Sequence, residues 1–255
     1  HSSDNAEDWL GVHASDDTTL ARIRCHPLPP AVDPEVRDIL ERRAKREWKI
    51  LRGLRHPSVE RVLDLHADGN RGPSLVYEGD FTYVTLANFR EDQPPLPKQD
   101  LVALMEKATD AVAHCHTRSV VHRALSPESI FIGLDSAMDP TEVEIRRWVS
   151  AVVDSQATQH IAHVDPTIAA YRAPELHRDP GCMTPSVDVF SLGCLAFYLA
   201  TGKHPPHSET GRVSVTSRGL DAHDDLRQLP EPIRRLIKRS TTADPEDRLK
   251  TATDF

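Results

Sequence analysis

The chain lacks paired cysteines: Cys25, Cys115, Cys182 and Cys194 are widely spaced and form no C-x-x-C motif. That usage is expected of a reducing compartment, with buried thiols rather than disulfides. It also lacks a membrane span, because the longest apolar run, Val189 to Ala200, is too short to cross a bilayer and reads as a buried helix. No signal peptide is visible. An excess of basic charge is missing too: 31 Lys and Arg stand against 39 Asp and Glu, which leaves no electrostatic footprint for nucleic acid. No internal repeat or low-complexity tract interrupts the chain. These absences predict a cytoplasmic protein with neither membrane nor nucleic acid as partner.

What is present is 255 residues, enough for one large domain or two small lobes around a substantial core. Trp9 to Cys25 alternates like two strands about a Ser15-Asp16-Asp17 turn. After a proline-rich piece, Pro27 to Pro34, a helical pattern runs to about Leu54, with Ile39, Leu40, Trp48, Ile50 and Leu51 among charged residues. Val59 to Leu65 and Ser74 to Tyr77 are strand-like. Leu101 to His116 carries a helical stripe of Leu101, Leu104, Ala108, Ala111, Val112 and Cys115. Ser129 to Gly133 and Glu142 to Trp148 read as a hairpin around Asp135 to Asp139. The chain starts at a His and stops at Asp254-Phe255 within a helix-like pattern, which is expected of a piece of a longer polypeptide.

Five segments occur in a telling order: Arg55-His56-Pro57-Ser58-Val59, His122-Arg123-Ala124-Leu125-Ser126-Pro127-Glu128-Ser129, Tyr171-Arg172-Ala173-Pro174-Glu175, Asp188-Val189-Phe190-Ser191-Leu192-Gly193, and Asp244-Pro245-Glu246-Asp247-Arg248. Together they resemble the protein kinase family, serine/threonine type, over nearly the whole chain. The resemblance implies an α+β bilobal fold: a small β-rich N-lobe (1–78), with first strand and glycine loop missing or degraded, and a larger helical C-lobe (79–255). It places the hinge at Glu78-Gly79-Asp80.

The resemblance also sorts the residues by role. Those that would hold shape are kept. Glu175 and Arg248 match a buried ion pair, Asp188 matches the carboxylate that accepts catalytic-loop N–H groups, and Arg123 follows His122 as in the family. His122, Trp148, Leu51 and Val62 match a hydrophobic column between the lobes.

Residues that would handle nucleotide and metal are replaced. Ala124 stands at the family's catalytic Asp, and its methyl cannot accept a proton. Ser129 stands at the metal-binding Asn. Arg147, in Arg147-Trp148-Val149, stands at the metal-binding Asp of D-F-G; at an effective dielectric of about 20 and ~4 Å the reversed charge turns about 8 kcal/mol of attraction into repulsion. Another register would use Asp154. Arg24 stands at the family's strand lysine if Arg22 and Arg24 face the cleft, with Glu47 matching its helix partner, and Ile23 stands there if the other face is inward; Arg and Lys are not equivalent. Asp8 to His13 offers a single glycine for a phosphate loop. Arg22 and Phe131, with Tyr77 and Glu78, would line the nucleotide cleft, and Arg22 and Phe131 could fill it.

Two smaller features read as structural. His114-Cys115-His116 is expected to pack rather than bind metal, and Arg146 to be a solvated or salt-bridged strand end. Ser155, Thr158 and Thr167 are candidate phosphorylation sites, with Arg123 as their partner. The expectation is therefore a pseudokinase: not an enzyme, without magnesium–ATP as cofactor, and working as a scaffold or regulatory module for a protein partner or another domain of the same polypeptide. Two alternatives stand beside it, a serine/threonine kinase or nucleotidyl transferase with rearranged residues, and a metal-independent ATP-binding switch.

Overall fold

A computed structural model describes residues 6–12, 20–28, 33–66, 72–79, 82–91, 96–153, 166–206, 215, 219–220 and 223–255. The strands are β1 (Glu7–Val12), β2 (Leu20–Cys25), β3 (Val62–His66), β4 (Ser74–Glu78), β5 (Val84–Thr85), β6 (Val120–Val121), β7 (Ile130–Leu134), β8 (Pro140–Ile145) and β9 (Val152–Val153). The helices are α1 (Pro34–Leu51), α2 (Leu86–Arg90), α3 (Lys98–His116), α4 (Pro166–Ala169), α5 (Glu175–Arg178), α6 (Ser186–Thr201) and α7 (Glu231–Ser240). The N-terminal region is β-rich and the C-terminal region helical, as in a bilobal kinase-like fold.

The N-terminal sheet is antiparallel in the order β1-β2-β4-β3. Helix α1 packs against it. Pro34 at its first turn has a preset φ, and Asp33 caps the end by accepting from the Glu35 N–H at 2.8 Å. Ala44, Glu47, Ile50 and Leu51 form its buried stripe. The helix stops at Leu51, short of Leu54, and β3 begins at Val62 rather than Val59.

Helix α3 buries the expected stripe, with Met105 added. Helix α6 is buried from Ser186 through Leu199, on every face, as its unbroken apolar run requires. Gly193 lets α7 approach closely: a Cβ there would lie 2.2 Å from Ser240 Oγ and 2.7 Å from Thr241 Cγ2. Gly202, at φ 72°, closes α6 in the left-handed conformation. No helix of the described residues is long and apolar enough to cross a membrane.

Strands β7 and β8 form the expected hairpin, in register from Ile130 opposite Ile145. Trp148 leaves it, however, for a 3-10 turn over Trp148–Ser150. The turn buries the indole fully and lets its Nε1–H donate to the Ile145 carbonyl at 3.0 Å. A parallel bridge joins Val59 to Ile145. Ile145 N donates to Ser58 O at 2.9 Å, and Glu60 N donates to Ile145 O at 3.1 Å. The segment before β3 is thus stitched to the hairpin, and the candidate site lies at that seam.

Candidate functional site

The loop after β6 hangs from one carboxylate. Asp188, in the first turn of α6, accepts from His122 N at 2.8 Å, Arg123 N at 2.7 Å and His116 Nε2 at 3.0 Å. Burial alone would raise its pKa; the His116 hydrogen bond and charge, with His122, outweigh that and hold it below the usual carboxylate range. His116 of the His114-Cys115-His116 run is thereby a structural partner. His122 accepts from Ala124 N at Nδ1, 3.3 Å, so its Nε2 carries the proton shared with Arg146 O at 3.2 Å. Burial lowers its pKa and keeps it neutral. Its ring meets Trp148 edge-on at 4.6 Å, and Leu51 and Val62 are buried with them, so the four column residues share one core.

Arg123 adopts φ 67° and donates to the Pro180 carbonyl. Ser129 spends its hydroxyl locally: Oγ donates to Ser126 O at 3.0 Å and accepts from Ser126 N at 2.9 Å. Ala124 presents a methyl group. The Glu175–Arg248 pair forms as a fork, at 2.6 and 3.1 Å. Asp154, Ser155 and Thr158 lie outside the described residues, as do the Ser15-Asp16-Asp17 turn and Asp80; Thr167 is half-buried in α4.

At the seam, buried charges meet. Arg22 is 3% exposed; its guanidinium contacts Glu60 at 2.5 Å and Asp8 at 3.2 Å, and stacks 4.3 Å above the Tyr77 ring. Glu60, 2% exposed, also accepts the Arg147 N–H at 3.0 Å. Arg147 sits in the left-handed region, φ 66° and ψ 55°, which aims that N–H at Glu60 while its side chain reaches Glu128 at 3.5 Å. A non-glycine residue rarely adopts that backbone unless its surroundings hold it there. Tyr77 donates its hydroxyl to Glu47 at 3.1 Å.

One pairing departs from expectation. Arg24 does not pair with Glu47: it binds Asp8 at 3.2 Å, because the antiparallel register sets Asp8 directly across β1 from it. Glu47 instead takes the Tyr77 hydroxyl, and burial, followed by the nearby Glu60 charge, pushes its pKa up to about 7. Glu78 turns to Arg61 at 2.9 Å, with both side chains half-exposed. Arg146 takes the salt-bridged of its two expected forms, in a buried setting. It is ion-paired to Glu144 and lies 4.3 Å over Phe131, which therefore backs an arginine and not an open slot.

Sequence reasoning missed Glu60 and Asp8. Alternation along β1 could have placed Asp8 opposite Arg24. A lone carboxylate after Ser58-Val59 carries no local sign of burial.

Ala124 presents a methyl, Ser129 a hydroxyl bonded within its own turn, and Arg147 a guanidinium that reaches Glu128. Among the described residues no group of three or more His, Cys, Asp or Glu is placed to hold a metal ion.

The fold and the site define a kinase-like domain. The protein kinase domain family matches residues 32–254, and the chain belongs to that family. It is 27% identical over 222 residues to the serine/threonine-protein kinase PrkC of Bacillus subtilis, covering 84% of this chain and 32% of that protein. It is 29% identical over 230 residues to the serine/threonine-protein kinase PknB of Mycobacterium leprae (84% and 34%). It is 26% identical over 285 residues to the probable kinase PglW of Streptomyces coelicolor, covering 97% of this chain and 18% of that one. The chain thus spans about a third or less of these relatives.

These likenesses overturn two expectations, that the chain is no enzyme and that it has no cofactor. Its family and its relatives' names point to a kinase, and kinases transfer a phosphoryl group from a metal-bound nucleotide.

Proposed function

We propose that this chain is a regulatory domain of the serine/threonine kinase family, a single unit of two lobes (1–78 and 79–255) that acts on a protein partner or on another domain of the same polypeptide. The buried bracket of Arg22, Glu60 and the Arg147 N–H carries this reading. It ties the N-terminal sheet to the turn after β8, so the two regions hold one relative position. A defined shape is what a partner can recognise and bias. Relatives more than twice this length give such a domain room for neighbours.

Cross-linking mass spectrometry on the full-length polypeptide tests this. The expected result is reproducible cross-links from this domain to another domain or a co-purified protein, weakened when Glu60→Ala loosens the bracket. Absence of such links, or links indifferent to Glu60, sinks it.

The relatives' kinase names favour a second reading, serine/threonine phosphorylation by a residue set of its own, with Glu128 and Glu47 as carboxylates beside the cleft. Magnesium-dependent ATP binding by calorimetry, together with phosphate incorporation into serine or threonine peptides, would establish it.

A further inference from the structure

A cavity of about 470 Å³ opens beside the hinge, outside the Arg22–Glu60 bracket. We propose that it is a binding site for a small organic anion with a flat apolar body, held between the two lobes.

Its walls come from both sides. Leu54, Pro57 and Val59, on the segment between α1 and β3, supply apolar surface, and Tyr83 supplies a ring from the other side. The Tyr83 hydroxyl is engaged by Glu142, so the ring is its free surface. The Arg146 guanidinium lies 5.2 Å over that ring and 4.3 Å over Phe131, a preset flat wall. The volume is that of a small-molecule site, in the range of roughly 300–1,000 Å³.

Charge decides the ligand. Three arginines line the cavity, Arg55, Arg61 and Arg146, against two carboxylates, Glu78 and Glu144. His56 adds no free group: its Nε2 meets Asp110 at 3.0 Å and its Nδ1 accepts from Ser58 N at 3.1 Å. Glu144 is committed to Arg146. Glu78 and Arg61 form a half-exposed pair at 2.9 Å, a weak contact that a ligand anion can replace. Arg55 is exposed and has no ion pair or hydrogen bond among the described residues. Among the lining residues themselves one positive charge is left over, that of Arg55, and a planar guanidinium accepts a carboxylate or phosphate through two parallel bonds.

The test uses the 255-residue chain with naphthalene-2-carboxylate as probe and naphthalene-2-carboxamide as its neutral counterpart. Calorimetry measures affinity, and backbone amide shifts at Val59, Gly79 and Tyr83 report location. The expected result is saturable carboxylate binding that moves those amides. The amide should bind about tenfold more weakly, and Arg55→Glu and Arg61→Glu should each weaken the carboxylate about tenfold. Arg55 is solvent-accessible and carries no ion pair among the described residues, so Arg55→Glu keeps the wild-type thermal midpoint and is the decisive variant. Absence of saturation, equal affinity for the amide, indifference to both reversals, or shifts elsewhere would overturn the proposal.

Discussion

Glu47 and Glu60 are two buried carboxylates in one charged cluster, and each has a separable effect. Glu47 is nearly inaccessible, and its pKa rises from 4.5 to about 7 because burial disfavours the ion, with Glu60 adding repulsion. A carboxyl whose folded pKa is raised binds protons better in the folded state. Its contribution is therefore complete below about pH 4.5 and is lost as pH rises through about 7. The wild type should lose up to about 3 kcal/mol relative to Glu47→Gln between those limits, measured by urea denaturation across pH. A pH-independent difference would mean that Glu47 titrates alike in the folded and unfolded chain. Glu60 works differently, since it neutralises Arg22 and satisfies the Arg147 N–H. Glu60→Ala strands the guanidinium and should cost about 3–5 kcal/mol. Arg22→Met combined with Glu60→Leu removes both charges and should recover part of that loss; a double variant less stable than Glu60→Ala would refute the stranded-charge explanation.

Among the elements, α5, α6 and α7 are joined by one side chain. Arg248 forks onto Glu175 of α5, donates to the Ser186 carbonyl of α6 at 2.9 Å, and reaches the Thr242 and Ala243 carbonyls just past α7. Lysine supplies charge without the planar fork. Arg248→Lys should therefore destabilise nearly as much as Arg248→Ala, about 3–5 kcal/mol by chemical denaturation; a lysine variant close to wild type would show that charge alone suffices. This knot was legible in the sequence, as were the α3 stripe, the apolar α6 and Asp188. Each rests on a period or on a motif of adjacent residues. The bracket was not legible, because Arg22 and Glu60 stand 38 residues apart and meet only through the register of β2 on β4 and an irregular entry to β3. Trp148 was read as a strand residue because the alternation of β8 runs up to it. The left-handed turn at Arg147 that redirects it depends on a distant acceptor, and residue type alone does not announce such a turn.

For the molecule as a whole, the seam between the two regions decides how far they move as one. Two backbone hydrogen bonds cross it, Ile145 N to Ser58 O and Glu60 N to Ile145 O, with a third from Arg147 N to the Glu60 carboxylate. The His122–Trp148 contact sits directly behind, so the seam is backed by packed aromatic core rather than water. An amide in such a seam exchanges with solvent only when the seam opens, whether locally or together with the lobes. Hydrogen exchange on wild type and Glu60→Ala distinguishes the two cases. If the bracket clamps the lobes, Glu60→Ala should speed exchange at Ile145, Glu60 and Arg147 together, by a common factor of about tenfold or more, and leave Leu195 in α6 unchanged. Acceleration confined to Arg147 would reduce Glu60 to the partner of a single N–H. Acceleration that includes Leu195 would mean that the variant unfolds globally and that the seam is no weaker than the core it joins.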